Sequence, residues 1–392
     1  MEFPETFVDA EAAVLEAARR QAGVDDFGEP SFLEGLRRLL HSLDTDLPRG
    51  PAERAACLKQ IVAQLVSRLY AQEGWRRRPE TLAVALPRPV FIAGAPRTGT
   101  TALHQLLAAD PAWQGLENWL TLTPMPRPPR DAWPEVPEYR RAVAASEARI
   151  QLTPELRKMH FVEPHEVDEC LRVMAQTMVS NRFGTTMTVP SYDAWQWRQD
   201  MRPSFRRLAD NMRLIGADEP DQRWLLKNPS HALNLEELLE VFADAKVIHT
   251  HRDPLTSFPS FWSLMSQLQP PLDGPAWRAR RTVDRELALW GEALDRSVAI
   301  QRKHPDRILD VYERDIAARP LEVVARIYDF VGQPFTPDVE AAVSAWMASH
   351  PKGKHGAHRY RLADFGATAE EVLEHVGAYR AHHGFDATEP AI

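Results

Sequence analysis

The sequence predicts an α/β protein: a P-loop-type parallel sheet flanked by helices, with a helical N-terminal region and helical insertions. Three observations predict it. An apolar run, "PVFIAGAP", empties into a glycine-bounded turn and then a helical pattern. A later stretch, "RWLLKNPSHALNLEELLEVFADAKVIHTHRDP", alternates strand, helix and strand, which requires a crossover and a parallel sheet. Before both, amphipathic helical patterns fill the first part of the chain.

The elements follow in order. In "PSFLEGLRRLLHSLD" apolar residues fall at 32, 36, 39, 40 and 43, one face of a helix, with Ser31 as its expected cap. In "CLKQIVAQLVSRLY" they fall at 58, 61, 62, 65, 66 and 69, again one face. This gives a helical N-terminal extension over residues 1–85 and an α/β domain over 86–392. "TALHQLLAAD" continues the glycine turn as a helix and stops at Asp110-Pro111. "PMPRPPRDAWPEVPEYR" is too rich in proline for regular structure. Residues 138 to about 216 are mixed and mainly helical. "WLLK", "AKVIHTH" and "DRILDVYERD" each supply a strand, and "PLEVVARIYDFVG" a helix ending at Gly332. The basic stretch "HPKGKHGAHRYRLADFG" is poor in helix formers.

Bulk properties narrow the function. With 392 residues and 44% hydrophobic content, the chain has the size and composition of a globular protein with a sizeable core. The net charge of −8 argues against nucleic acid as partner. No apolar run reaches the length of a membrane span. Two cysteines, Cys57 and Cys170, make no disulfide framework. The start of the chain lacks the features of a signal peptide. A cytoplasmic location is expected. Subunit number is not readable.

The chemistry concentrates in Gly94-x-x-x-x-Gly99-Thr100-Thr101. This matches the phosphate-binding pattern G-x-x-x-x-G-K-[ST] except that Thr100 replaces the lysine. Glycines let backbone N–H groups approach an anion, and the following helix adds its N-terminal dipole. Arg97 is the strong cation of the loop, and Thr98, Thr100 and Thr101 add hydroxyls. A nucleoside triphosphate site needs the missing lysine and an acidic residue for Mg²⁺. A sulfuryl group, with one negative charge where a terminal phosphoryl carries about two, suits this loop better.

These residues resemble the sulfotransferases that use 3′-phosphoadenosine 5′-phosphosulfate (PAPS), in the bacterial branch with a helical N-terminal extension. The family's P-[KR]-[ST]-G-T-T is matched by Pro96-Arg97-Thr98-Gly99-Thr100-Thr101. Its arginine followed eight positions later by serine is matched by Arg252 and Ser260. Its K-x-P-x-[YH] is matched by Lys227-Asn228-Pro229-Ser230-His231, and its basic loop by Lys352, Gly353 and Lys354. The resemblance implies that Arg97, Thr98, Gly99, Thr100 and Thr101 hold the 5′-phosphosulfate. It also implies that Arg252 and Ser260 grip the 3′-phosphate, and that Arg97 and Lys227 stabilise charge on the leaving oxygen. The helix carrying Ser260 starts either at Pro254, with a distortion, or at Pro259, with Ser257 as cap.

For the general base the resemblance points to a histidine or glutamate, and the candidates are Glu166, His231 and His165, in that order. Glu166 and Glu169 would share a helix face. His104 is expected to pack on the helix rather than to react. No metal site is expected, because His249 and His251 are read as facing opposite sides of their strand. The acceptor is a small molecule. Tryptophans 113, 119, 133, 195, 197, 262, 277 and 290 suggest an apolar one, a lipid, steroid or phenol. Two rival readings are a small-molecule kinase using ATP and magnesium, and an inactive nucleotide-binding protein.

Overall fold

The computed structural model describes residues 3–152, 162–350 and 360–385. The chain divides into two compact units. One comprises Met1–Leu86, Leu116–Asp221 and Met265–Arg278, the other Pro87–Gly115, Gln222–Leu264 and Ala279–Ile392.

The first unit is helical. Its first helices are α1 (Glu11–Ala22), α2 (Phe32–Thr45) and α3 (Pro51–Arg77), and α2 and α3 bury the faces that periodicity selects. Phe32, Leu36, Leu39, Leu40 and Leu43 of α2 join Leu58, Ile61, Val62, Leu65, Val66 and Leu69 of α3 in one core. The α3 start places Pro51 at the first helical position, where no N–H is needed. Ser31 does not cap α2. Its backbone is already helical and its hydroxyl turns back to Glu29, which also accepts from its N–H. A cap needs an extended residue whose oxygen points forward along the helix.

The second unit holds a five-stranded parallel sheet. Its strands are β1 (Val90–Gly94), β2 (Trp113–Gln114), β3 (Arg223–Lys227), β4 (Lys246–His251) and β5 (Ile308–Tyr312), in the order β2-β3-β1-β4-β5. The helices that position the site are α4 (Thr100–Leu107), α5 (Leu235–Val241), α6 (Pro254–Leu268), α7 (Ala279–Lys303), α8 (Glu313–Ala318), α9 (Pro320–Val331) and α10 (Ala369–His382). Val90, Ile92, Leu103, Leu107, Leu225, Ile248, Val324 and Ile327 form the core between sheet and helices. Gly332 ends α9 in the left-handed conformation.

β1 is central, with β3 on one side and β4 on the other. Loops leaving its carboxyl end therefore diverge there and leave a crevice, the place where open α/β sheets bind ligands. α6 starts at Pro254 and carries Pro259 within it, the first of the two open alternatives. The expected placement of His249 and His251 on opposite faces is corrected: their rings lie 4.3 Å apart. Residues two apart on a strand share a face, since side chains alternate with period two.

Candidate donor-binding site

The loop between β1 and α4 is shaped by two glycines and one strained arginine. A Cβ on Gly94 would stand 2.4 Å from Thr250 Oγ1 and 2.5 Å from the Thr250 carbonyl oxygen. Only glycine lets β1 and β4 approach this closely. Gly99 has φ +88° and heads α4 in the left-handed region. Arg97 also sits there, at φ +67°, a conformation a non-glycine residue rarely adopts outside functional turns. Thr98 is fully buried. Its hydroxyl donates to the Ala95 carbonyl at 2.7 Å and lies 2.6 Å from Thr250 Oγ1, so the hydroxyl rigidifies the loop.

Cations gather around this loop. Arg97 Nε donates to Ser260 Oγ at 3.1 Å, and Arg252 Nη1 donates to the Arg97 carbonyl at 3.3 Å. The α6 start at Pro254 thus puts Ser260 in the second turn, with its hydroxyl against the loop. Although the Arg97 side chain reaches solvent, surrounding protein atoms and the neighbouring Arg252 both push its pKa down; Tyr360 partly offsets them. The guanidinium stays charged at neutral pH. Arg252 thus reaches the loop backbone while Arg97 reaches α6, and both cations are left to face an anion at the loop. The opposing charge is Glu313, at the start of α8, whose Oε2 is 3.8 Å from Arg252 Nε and whose side chain flanks Gly99.

Lys227 arrives from the other side. The register pairs it with Ile92 of β1, and its side chain is 1% exposed. Its ammonium donates to Thr101 Oγ1 at 3.2 Å, on the first turn of α4. The structure therefore brings together Arg97, Thr98, Gly99, Thr100, Thr101, Lys227, Arg252 and Ser260. Lys352, Gly353 and Lys354 lie outside the described residues.

The base candidates come from both units. His231 follows β3 and is fully buried, edge-on to the Phe91 ring at 5.3 Å. Burial pushes its pKa down to about 3. Glu166 and His165 belong to the helical unit. Glu166 lies in a turn, where its Oε2 accepts from the Glu163 N–H at 2.8 Å, and His165 is exposed. The expectation of a helix presenting Glu166 and Glu169 on one face is corrected. Val167 makes a bridge with Glu117, which holds this segment extended, and the next helix begins at Leu171. His104 packs as expected, with Nε2 3.3 Å from the Leu225 carbonyl.

The tryptophans mostly fill cores. Trp119, Trp262 and Trp290 are among the largest fully buried side chains, and Trp113 donates to Tyr328. Trp197, at 39%, is exposed. The aromatic count therefore says little about the acceptor.

Sequence reasoning missed Glu313, Thr250 and the pair Asp253–Arg380. Arg380 of α10 grips Asp253 with two bonds, 2.8 and 2.9 Å, next to Arg252. "RDP" marks Asp253 as a helix-start residue, but nothing in the sequence points to a partner 127 positions away.

A parallel sheet whose central strand ends in a glycine-bounded loop ringed by cations defines a class of α/β protein with a cationic crevice at the carboxyl end of its sheet. Residues 89–337 match the model of the sulfotransferase family, and the chain belongs to that family and is a sulfotransferase. It is 33% identical to the sulfotransferase STF1 of Mycobacterium tuberculosis H37Rv, over 95% of this chain and all of that one, with a TM-score of 0.86. The sulfotransferase STF9 of Mycobacterium avium has the same fold, at a TM-score of 0.87 and 24% identity, covering 97% of this chain and 98% of that one. The chain is also 26% identical to the omega-hydroxy-beta-dihydromenaquinone-9 sulfotransferase Stf3 of Mycobacterium bovis, over 80% of this chain and 79% of that protein.

Proposed function

We propose that the protein moves a sulfuryl group from PAPS to a hydroxyl, or an amine, of a small apolar acceptor. The observation that carries this is the convergence of Arg97, Lys227, Arg252 and Ser260 on a loop that lacks the P-loop lysine. Backbone N–H groups of Thr98, Gly99, Thr100 and Thr101, with the α4 N-terminus, would hold the 5′-phosphosulfate. Arg252 and Ser260 would hold the 3′-phosphate, and the family resemblance adds Lys352, Gly353 and Lys354 to the donor-binding residues. Glu313 would release Arg252 when that phosphate arrives.

In the transfer, the acceptor oxygen attacks sulfur and the bond from sulfur to the phosphate oxygen breaks. Charge grows on that leaving oxygen. Arg97 and Lys227 stabilise it, and losing either costs about 100- to 1000-fold in rate. The acceptor proton passes to a base. A group of pKa about 3, as His231 has, is poorly matched to this near neutrality. Glu166 stands first among the three candidates, ahead of His231 and His165. The apolar acceptor class is supported by the relative whose name specifies a hydroxylated menaquinone derivative. A cytoplasmic location is supported by two buried free cysteines and by the absence, among the described residues, of a helix apolar enough to span a membrane.

Thermal unfolding with 3′,5′-ADP, with ADP and with ATP plus Mg²⁺ tests the reading. A ligand at a hundred times its dissociation constant adds about 2.7 kcal/mol. A shift with 3′,5′-ADP, removed by Arg252→Ala, is the expected result. A shift only with ATP and Mg²⁺ indicates a kinase, and no shift with any nucleotide an inactive relative.

A further inference from the structure

The most unusual group outside the donor site lies where β4, β5 and α10 meet. In the parallel register His249 faces Asp310 and His251 faces Tyr312. His249 and His251 share one face of β4, and each is 1% exposed. One potential ligand atom from each of His249, His251 and Asp310 lies within 4.8 Å of the others. His251 Nε2 is 2.9 Å from Asp310 Oδ1. Asp310 is 23% exposed and opens the group to solvent.

Two observations go beyond a cluster of suitable residue types. First, His249 Nε2 is buried with no hydrogen-bond partner, and so is Nε2 of His383, whose ring stacks on His251 at 4.0 Å. Buried polar atoms left unpaired are rare, because each has given up its hydrogen bond to water with nothing in exchange. Second, an outer shell is already built. His251 Nδ1 is 2.7 Å from the Tyr379 hydroxyl, which orients the ring so that Nε2 points towards Asp310. Metal-bound imidazoles are almost always held this way through their second nitrogen.

We propose that His249, His251 and Asp310 bind one divalent transition metal of the zinc class, with water in the open position. Two imidazoles, one carboxylate and an open position suit zinc, cobalt or nickel, whereas magnesium and calcium prefer all-oxygen shells. Ligands about 2.0–2.1 Å from a tetrahedral ion stand about 3.4 Å apart, so separations of up to 4.8 Å close by about 1.4 Å at most, while the 2.9 Å gap between His251 Nε2 and Asp310 Oδ1 opens by about 0.5 Å. Asp310 then exchanges its bond to the His251 N–H for a bond to the metal, and the imidazole keeps its single proton, now on Nδ1, where it donates to the Tyr379 hydroxyl, so that Nε2 is free to bind the ion. The ion ties β4 and β5 together one residue before Arg252. Its function is structural, and it is independent of the donor reading.

The test uses the full chain, stripped with a chelator, dialysed and titrated with Co²⁺ and then Zn²⁺. The expected result is one equivalent of Co²⁺ giving the visible bands of a four- or five-coordinate site, displaced by one equivalent of Zn²⁺. His249→Ala and Asp310→Asn each weaken Zn²⁺ binding by at least about 100-fold, and Tyr379→Phe weakens it by about 10- to 100-fold. His382→Ala, next to the cluster but outside the ligand set, leaves binding unchanged. Because these variants carry a risk of misfolding, the Co²⁺ spectrum of the unaltered chain decides first. No visible band and no stoichiometric Zn²⁺ uptake overturn the proposal, and so does uptake that Asp310→Asn leaves intact.

Discussion

Replacing Arg380 with methionine tests how the C-terminal helix supports the donor site. Arg380 and Asp253 form a bidentate pair with side chains only 7% and 12% exposed. Asp253 Oδ1 also accepts from the Leu255 N–H at 3.0 Å and so caps α6. Removing the guanidinium leaves a nearly buried carboxylate with one backbone donor. Breaking such a pair from one side costs about 3–5 kcal/mol, most of it the burden of the unpaired charge. Asp253→Asn added to Arg380→Met removes that charge and keeps the cap acceptor. The double variant should therefore recover part of the loss, with a coupling above about 1 kcal/mol. Urea denaturation gives the stability. Hydrogen exchange of the Leu255 and Thr256 amides locates the effect. Because Asp253 adjoins Arg252, Arg380→Met should weaken 3′,5′-ADP more than 5′-AMP. A cost below about 1 kcal/mol, or costs that simply add in the double variant, would refute the reasoning.

Three further outcomes are expected. Arg97→Gly relieves a left-handed residue, worth about 1–2 kcal/mol, but raises unfolded-state entropy by about 0.5–1 kcal/mol and loses the Ser260 bond. Its stability should therefore stay within about 1 kcal/mol of the parent while transfer falls about 100- to 1000-fold; paired losses of both would contradict it. Gly94→Ala drives a Cβ into Thr250 and should cost about 1–3 kcal/mol and weaken 3′,5′-ADP binding, read by calorimetry. For His231, burial lowers the folded pKa to about 3 against about 6.5 unfolded. The unfolded chain then binds a proton the native one does not, so stability is lost as pH falls through this window, by about 1.36 kcal/mol per unit. His231→Gln should make the stability slope between about pH 5.5 and 4 shallower by that amount, and an unchanged slope speaks against the burial argument.

What the sequence made legible, and what it hid, follows from how far apart the interacting residues are. The strands β1, β3, β4 and β5 are short apolar runs bounded by breakers, and α2 and α3 have clean periodicity, so local pattern sufficed. The loop was legible because its glycines answer local needs, a left-handed turn at Gly99 and a tight crossing at Gly94. β2 has two residues, Trp113 and Gln114, and no pattern can mark so short a strand. The Arg252–Glu313 and Asp253–Arg380 pairs join residues whose meeting depends on sheet order, which composition does not encode. The spacing of Glu166 and Glu169 suits a helix, but a bridge from Val167 to Glu117, 50 positions earlier, holds the chain extended instead.

The threonine at position 100 now has a physical setting. A P-loop lysine normally reaches its phosphates from the first turn of the helix. Here the corresponding turn carries Thr101, and its hydroxyl accepts from the Lys227 ammonium. Parallel register fixes this, since Lys227 pairs with Ile92, two residues before Gly94. The cation is thus supplied from the neighbouring strand. A lysine at position 100 as well would set two ammonium groups on one helical turn, beside Arg97 and Arg252, with Glu313 as the facing carboxylate. Such crowding suits a donor whose terminal group carries two charges. A sulfuryl donor carries one there and places its extra charge on a distant 3′-phosphate. The proposed site spreads its cations in the same way, Arg97 and Lys227 towards the transferring end and Arg252 towards the far one.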